Sequence, residues 1–564
     1  MKPTTRKALS AVVAALLAGA AAACDGNSTG SDTPTPPLGV TATATGTTTI
    51  RVTWNQVSGA DHYEIDRAAT GGSFTTVSSS VGGTFYEDTG LQPGTAYRYV
   101  VRAVSGSKIS QNSPEASATT IAQGAKQRTL SGFISASTTL YADTTYVLSG
   151  YVKVTNAAIL TIQPGTRIVG DTTVAGSSLW ILRGSKINAV GTAAAPIVFT
   201  SQRAPGNRKP GDWGGIIIIG NGLINRTANP ILTEGPLGAS ENYAGGTNFN
   251  DNSGQLKYVR VEFAGYDVSN GAGQELNSLS SYAVGRGTTY EYVQSMAGLD
   301  DSFEWFGGAV DGRYLVSYES GDDHFDWTEG YQGRNQFLIA LQTTVLQPRP
   351  GTGTVSSDPR GFEGDGCESD KPGCTFANTP YSSPVFANFD IIGPGAGVFT
   401  PQDGNGAVIR RGSAGTLVNG VIGRWPGVGI SIRDAASDAL RQVDSLMVRN
   451  VLLVDNGSNF EAAGTNFGAA LNNPAYNITT GTGVTALFAG LPAQPAVPTL
   501  TTLDWTPPAG SALATGGMAS FAGTPIAGRV TNYFGATVTA TAFRGAADPA
   551  GAKWWQGWTV YYRN

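Results

Sequence analysis

Charge is scarce in this 564-residue chain: Asp, Glu, Lys and Arg together make up 14%, against roughly a quarter in ordinary globular proteins. Net charge is only -5 and no block of Lys and Arg exists. A disordered acidic chain, a coiled coil and a nucleic-acid binder, which needs clustered cations to neutralise phosphates, are therefore excluded. Histidine is nearly absent, with only His62 and His324, which argues against zinc, whose sites usually take four ligands. Beyond the N-terminus no apolar run approaches the roughly 20 residues of a membrane helix. What the chain has instead is glycine, 76 residues or about 13% where about 7% is average, together with 40% hydrophobic residues. Many short strands joined by turns fit that composition, so an all-β chain of two or more domains is expected.

Lys2, Arg6 and Lys7 precede an apolar stretch from Ala8 that ends in Ala21, Ala22, Ala23 and Cys24. A charged segment, an apolar segment and small residues in that order predict a signal peptide over 1–23 and a mature chain outside the cytoplasm. Cys24, directly after the small residues, resembles the lipobox cysteine of bacterial lipoproteins. That resemblance implies lipidation at Cys24 and a membrane-anchored protein on the outer membrane or cell surface, with the periplasmic face as the alternative. Ordinary cleavage would instead leave Cys24 as a free thiol. Residues 24–36, rich in Ser, Thr, Pro and Gly, form the tether. Cys367 and Cys374 lie in a Gly/Pro/Asp loop, GDGCESDKPGC, where an exported protein is expected to form a disulfide.

From Leu38 to about Thr120, short alternating segments such as TIRVTW, HYEID and YRYVVRAV read as a seven-stranded sandwich. Trp54 supplies a core ring. LQPGTAYRYVVRAV, with Leu91, Pro93, Gly94 and Tyr97, resembles the tyrosine corner and following strand of fibronectin type III domains, so residues 37–121 are read as one such module, a spacer or binding platform without an RGD sequence.

The remainder, 129–564, shows internal periods. GLDDSFEWFGG returns 22 residues later as GDDHFDWTEG, and Asn388, Asn419 and Asn450 recur at a step of 31 before apolar residues. Repeats of this length with β-branched and aromatic strands, YVRVEFAG, YEYVQSMAG and RYLVSYESG among them, predict coils of a parallel β-solenoid stacked about 4.8 Å apart. About 12 to 16 coils are expected, with the asparagines at left-handed bends, able to hydrogen-bond to their copies one rung away. LTIQPGTRIVG, GTAAAPIVFTS, GDWGGIIIIGNG and KWWQGWTVYY resemble segments of bacterial lipoproteins and secreted proteins with right-handed parallel β-helix domains, similar in fold to pectate lyases and polygalacturonases. The resemblance implies a right-handed β-helix and a surface location rather than a particular reaction.

Candidate chemistry centres on the two DD motifs. With Phe303, Trp305, Phe325 and Trp327 inward, alternation points Asp300, Ser302 and Glu304 outward in one row and Asp322, His324 and Asp326 in the next. Three readings stay open: a solvated acidic stripe, a calcium or ligand site in which Glu329 and Asp311 complete the shell, and a catalytic site. Glycosidase chemistry would use two of Asp300, Glu304, Asp322 and Asp326. A polygalacturonase Gly-His-Gly element is missing, since Asp323 and Phe325 flank His324. A lyase would need a base such as Arg313 or Arg334. Trp213, Trp554, Trp555, Trp558, Tyr561 and Tyr562 could stack on sugar rings, although the C-terminal five are expected rather to cap the last coil. The function expected is noncatalytic recognition or adhesion, with membrane attachment through the lipid, glycans as the leading ligand class and no nucleic acid. The alternative is a polysaccharide hydrolase or lyase.

Overall fold

The computed structural model describes residues 33–46, 49–92, 94–121, 126–236, 238–269, 274–399, 404–461, 466–493 and 503–561. The signal peptide, Cys24 and most of the tether, as well as Pro93 and Tyr562, lie outside the described residues.

The N-terminal module is a two-sheet sandwich. Thr41–Ala44, Ile50–Thr53 and Phe85–Asp88 form one antiparallel sheet. Thr75–Val81, His62–Ala69 and Ala96–Ser105 form the other, which gains Ala116–Thr119 and a two-residue hairpin strand, Lys108–Ile109, beyond the seven expected. Trp54 packs edge-on against Tyr63 at 5.3 Å in the core. Gln92 N donates to the Tyr97 hydroxyl at 3.0 Å, which is the corner bond that the LQPGTAY segment predicts.

The second domain is a long parallel β-helix. An 11-stranded and a 17-stranded sheet, both parallel, share one interior. The 11-stranded sheet contributes one strand per coil, and the 17-stranded sheet stacks twelve rungs from Gln127–Leu130 to Thr479–Gly481, so the described residues reach the lower end of the 12 to 16 coils expected. The count stays at the low end for a physical reason: Ile217 pairs with Ser280 and Asp326 with Glu363 on adjacent coils, so long loops consume chain without adding rungs. The 22-residue repeat is true register, with Phe303 on Phe325, Glu304 on Asp326 and Trp305 on Trp327.

Left-handed bends also stack. Tyr258, Tyr292, Tyr314, Phe337, Asn388, Asn419 and Asn450 occupy successive coils with φ between 49° and 62°. This conformation costs an ordinary side chain roughly 1–2 kcal/mol. The aromatic members offset it by ring stacking at 4.3, 4.5 and 5.2 Å along the ladder. The asparagines do not bond to one another as expected. Asn388 donates to Thr541 Oγ1 at 2.8 Å, Asn419 accepts from Met518 N at 2.6 Å, and Asn450 donates to Gly516 O at 2.9 Å.

Those partners belong to a C-terminal strap that corrects the expected end cap. Residues 503–561 run back along the flank: Gln336 bonds Thr539, Arg260 donates to Trp558 O and Gln294 exchanges two bonds with Val560. Trp505, Trp558, Val560 and Tyr561 bury the outer face formed by Phe263, Met296, Val316, Tyr318 and Ile339. An outward-facing apolar sheet in water needs such a cover. The strap also meets the N-terminal module. Arg51, fully buried, lies over Phe85 at 4.6 Å, sits 3.3 Å from Glu87 and donates to Thr559 O at 3.3 Å.

The bend ladder generates a prediction. Asn419→Gly keeps the left-handed backbone but loses the strap bonds, whereas Asn419→Ala loses both. Alanine is expected to destabilise by about 1–2 kcal/mol more than glycine in chemical unfolding, and equal losses would refute the backbone contribution.

Candidate functional site

The acidic residues gather on the 11-stranded sheet because registry repeats them. Glu304 pairs with Asp326, and Asp326 with Glu363 on the next coil. The DD motifs add Asp300, Asp301, Asp322 and Asp323 at the strand entrances. Three overlapping groups result: Asp300, Asp301 and Asp322; Asp301, Glu304 and Asp326; and Asp323, Asp326 and Glu363. Within each group one oxygen per residue lies within 4.8 Å of the others.

This column is not a solvated stripe, which corrects that reading. Asp301, Glu304 and Asp326 are 6, 7 and 8% exposed and Asp323 is 1% exposed; only Asp300 and Asp322 reach half-burial. Loops provide the cover: Glu234 lies close enough to raise Glu304, Ser356 and Asp358 stand beside Asp322, and Asn277 donates to Glu304. Asn277 also accepts from Asp301 N at 3.1 Å, and Asp323 N donates to Asp301 at 2.8 Å.

Two ends of the column differ in charge balance. Glu363 meets Arg360 and Arg410 at 2.7 Å each, and Asp323 meets Arg360 at 3.2 Å. Asp301, Glu304 and Asp326 have no ion pair among the described residues, and Asp326 Oδ1 is buried without any hydrogen-bond donor. Burial first, then the neighbouring carboxylates, holds Asp300, Asp301, Glu304 and Asp326 well above the usual carboxylate range. Burial pushes Asp322 and Asp323 up to about 7. Oxygen ligands at this density suit a hard divalent cation such as calcium, with Asp301, Glu304 and Asp326 as the group that makes no ion pair among the described residues.

Other expected participants lie elsewhere. Ser302 and His324 face inward, because strand alternation begins only at Phe303 and Phe325 and the preceding residues turn a corner. His324 Nδ1 is 2.5 Å from Ser317 Oγ, its ring meets Trp425 edge-on, and burial pushes its pKa down to about 3. Glu329 is taken by Arg226 at 3.0 Å and Tyr243 at 2.7 Å, and Asp311 by Arg286 at 3.3 Å. Arg313 stacks on Phe534 of the strap and Arg334 donates to Arg529 O, so neither stands by the column as a base. Trp213 is wholly buried, stacked with Phe199 and donating to Glu262 O. Trp555 and Trp558 are covered too, and half-buried Trp554 lies against Tyr314. Trp555 and Trp558 therefore offer no open stacking face. Asp301, Asp323, Asn277 and Glu363 were missed from sequence, although Phe-Glu-Gly at 362–364 repeats the Phe-Glu-Trp and Phe-Asp-Trp pattern. The expected disulfide joins Cys367 and Cys374, with Cα atoms 5.2 Å apart.

A covered parallel solenoid behind a fibronectin-type sandwich defines the class. The family of the pectate-lyase-like beta helix domain matches residues 132–491, well over half of the sequence, and the chain belongs to it. The fibronectin type III domain family matches residues 35–119. Among solved structures, an Fn3-like protein from Clostridium thermocellum is 39% identical, covering 15% of this chain and 92% of that one, with a TM-score of 0.14. FN3tt is 28% identical over 16% of this chain and 98% of its own, TM-score 0.15. The fn3 domain of human collagen alpha-1(XX) chain is 28% identical over 17% and 96%, TM-score 0.15. No curated protein matches the chain.

The raised carboxyls fix the sign of a pH effect. Without a cation, the folded column retains protons that the unfolded chain releases above about pH 4, so its contribution is full below that pH and is lost as pH rises, through about 7 for Asp322 and Asp323 and through the raised range of Asp326. Urea midpoints in chelator are expected to fall from pH 5 to pH 8 more steeply than those of Asp326→Asn. Equal slopes would refute the assignment.

Proposed function

We propose that the chain is an exported, lipid-anchored display protein whose β-helix binds its ligand without transforming it, with glycans as the ligand class and calcium bracing the carboxylate column. The observation that carries this reading is the enclosure of the column. A polysaccharide strand needs an open groove with free catalytic groups, whereas Asp301, Glu304, Asp323 and Asp326 are at most 8% exposed. Arg360 is engaged by Asp323, Asp358 and Glu363, and His324 belongs to the core. The orphaned oxygen of Asp326 supports a bound cation, because an unpaired buried carboxylate is costly.

Glycan contact finds support at the first coils. An open groove of about 840 Å³ is lined by Lys126, Gln127, Arg128, Tyr141, Asp143 and Gln163, and Tyr141 is 51% exposed. An exposed ring beside amide and cationic donors matches the apolar face and hydroxyl rim of a sugar. Polysaccharide cleavage keeps one supporting feature as a second reading: Asp300 and Asp322 are half-buried within the same carboxylate group, and Asp322 is raised to about 7, a value suited to a general acid.

The purified protein, incubated with acidic and neutral polysaccharides, is expected to retain at least one of them through Tyr141, with Tyr141→Ala weakening binding about tenfold, and to release no reducing ends or unsaturated products. Product release abolished by Asp322→Ala would establish the enzymatic reading instead. For the anchor, Cys24→Ser is expected to move the protein from the membrane fraction to the soluble one, and continued membrane association would exclude acylation there.

A further inference from the structure

The carboxylate column also has an inner side. The corners that carry its DD pairs turn into the coil interior at Ser302 and His324, where four polar side chains meet: Ser302, Ser317 and His324 are 0% exposed and Ser320 is 2% exposed. Interior positions are ordinarily apolar, and a polar group placed there needs a partner. Ser320 Oγ donates to two main-chain oxygens, Asp300 O at 3.0 Å on one coil and Asp323 O at 2.8 Å on the next. A backbone bond joins the same corners, from Ser302 N to Asp323 O at 3.0 Å. Ser320 is itself fixed by Gln342, which accepts from its N–H at 2.8 Å and donates to its carbonyl at 2.9 Å.

Those carbonyls force the direction of the remaining bonds, because a carbonyl oxygen only accepts. With its proton directed to them, Ser320 Oγ accepts from Ser302 Oγ at 3.1 Å, and Ser302 in turn accepts from Ser317 Oγ at 2.7 Å. The Ser317 proton is then spent, so the 2.5 Å contact between Ser317 Oγ and His324 Nδ1 requires the ring to donate. The bond directions thus assign His324 the tautomer with its proton on Nδ1, and Nε2, buried without a hydrogen-bond partner, is the bare nitrogen. Gln342 supplies that nitrogen with no proton, since its amide donates to Ser320 O and Thr344 O at 2.9 Å each. One chain of donors runs from His324 through Ser317, Ser302 and Ser320 to the backbone of both DD corners.

We propose that Ser320 is a positioning residue of the carboxylate column: by clasping Asp300 O and Asp323 O together it sets the spacing at which the DD carboxylates present their oxygens to a cation, and His324, at the far end of the donor chain, holds the clasp in that orientation. The proposal rests on the cation-binding reading above and adds to it what fixes the size of the site. Calcium takes oxygens at about 2.3–2.6 Å and magnesium at about 2.0–2.1 Å, so corners held at one spacing favour one ion. A hydroxyl that only filled the core would change stability and leave the preference between ions alone.

The test combines calorimetric titration of the full chain with calcium and with magnesium and nuclear magnetic resonance of its imidazole nitrogens, the two histidines being told apart by His62→Gln. In the wild type the His324 proton is expected on Nδ1, and a proton on Nε2 overturns the donor chain. Ser320→Ala is expected to weaken calcium binding about tenfold, to weaken magnesium binding less, and to move the His324 proton toward Nε2, because Ser302 loses its acceptor and the chain reverses. Unchanged calcium binding, or equal loss for both ions, with the wild type binding calcium, overturns the positioning role alone. Ser317→Ala, which cuts the chain upstream of Ser302 and leaves the clasp in place, is expected to weaken calcium binding by a smaller factor and serves equally should Ser320→Ala not fold; unchanged binding there overturns the part assigned to His324. A wild type that takes up no calcium overturns the cation reading itself.

Discussion

Parallel, in-register stacking is the constraint from which the rest of this structure follows. Each coil places its residues about 4.8 Å above their counterparts, so a sequence feature that repeats becomes a column of like groups. For Phe303 and Phe325 or Tyr258 and Tyr292 the column is favourable, because rings stack. For Glu304, Asp326 and Glu363 it is unfavourable, since like charges meet at rung distance in a dry setting. The fold resolves the second case in three ways along one column: arginine at Glu363, raised proton affinity throughout, and a demand for external positive charge at Asp326.

The flanks obey the same logic. A solenoid sheet buries its inner face automatically, but its outer face must be polar or covered. Here the outer positions Met296, Val316, Tyr318 and Ile339 are apolar, and the chain returns on itself to cover them with Trp505, Trp558 and Tyr561. Buried Arg51 then ties the N-terminal sandwich to the strap at Thr559. The sandwich therefore meets the strap through a side chain on the central strand of its three-stranded sheet, a contact that a spacer reading of the module does not include.

Repetition made much of this legible in the sequence. The 22-residue echo predicted that Trp305 stacks on Trp327, and the 31-residue step predicted that Asn388, Asn419 and Asn450 share one bend. Legibility failed where regular alternation stops. Ser302 and His324 immediately precede strands, and the corner there reverses the facing that a period of two would assign, exchanging them for Asp301 and Asp323. Glu363 escaped because the loop before it lengthens its coil to 37 residues and masks the period. The strap was unreadable for a different reason: its contacts join residues far apart in the chain, 66 positions for Asn450 with Gly516 and 203 for Gln336 with Thr539, and no local pattern records such pairings.

The loops over the column show why rigidity and charge belong together in this molecule. In a flexible protein, mutually repelling carboxylates separate into water and the cost disappears. In a β-helix every strand is hydrogen-bonded on both edges to adjacent coils, so Asp301, Glu304 and Asp326 cannot diverge without breaking register. The repulsion is retained as a property of the folded state, and what relieves it must come from protons, a metal ion or a side chain brought from another loop. The same stacking that multiplies the charge thus also determines which positive groups can reach it.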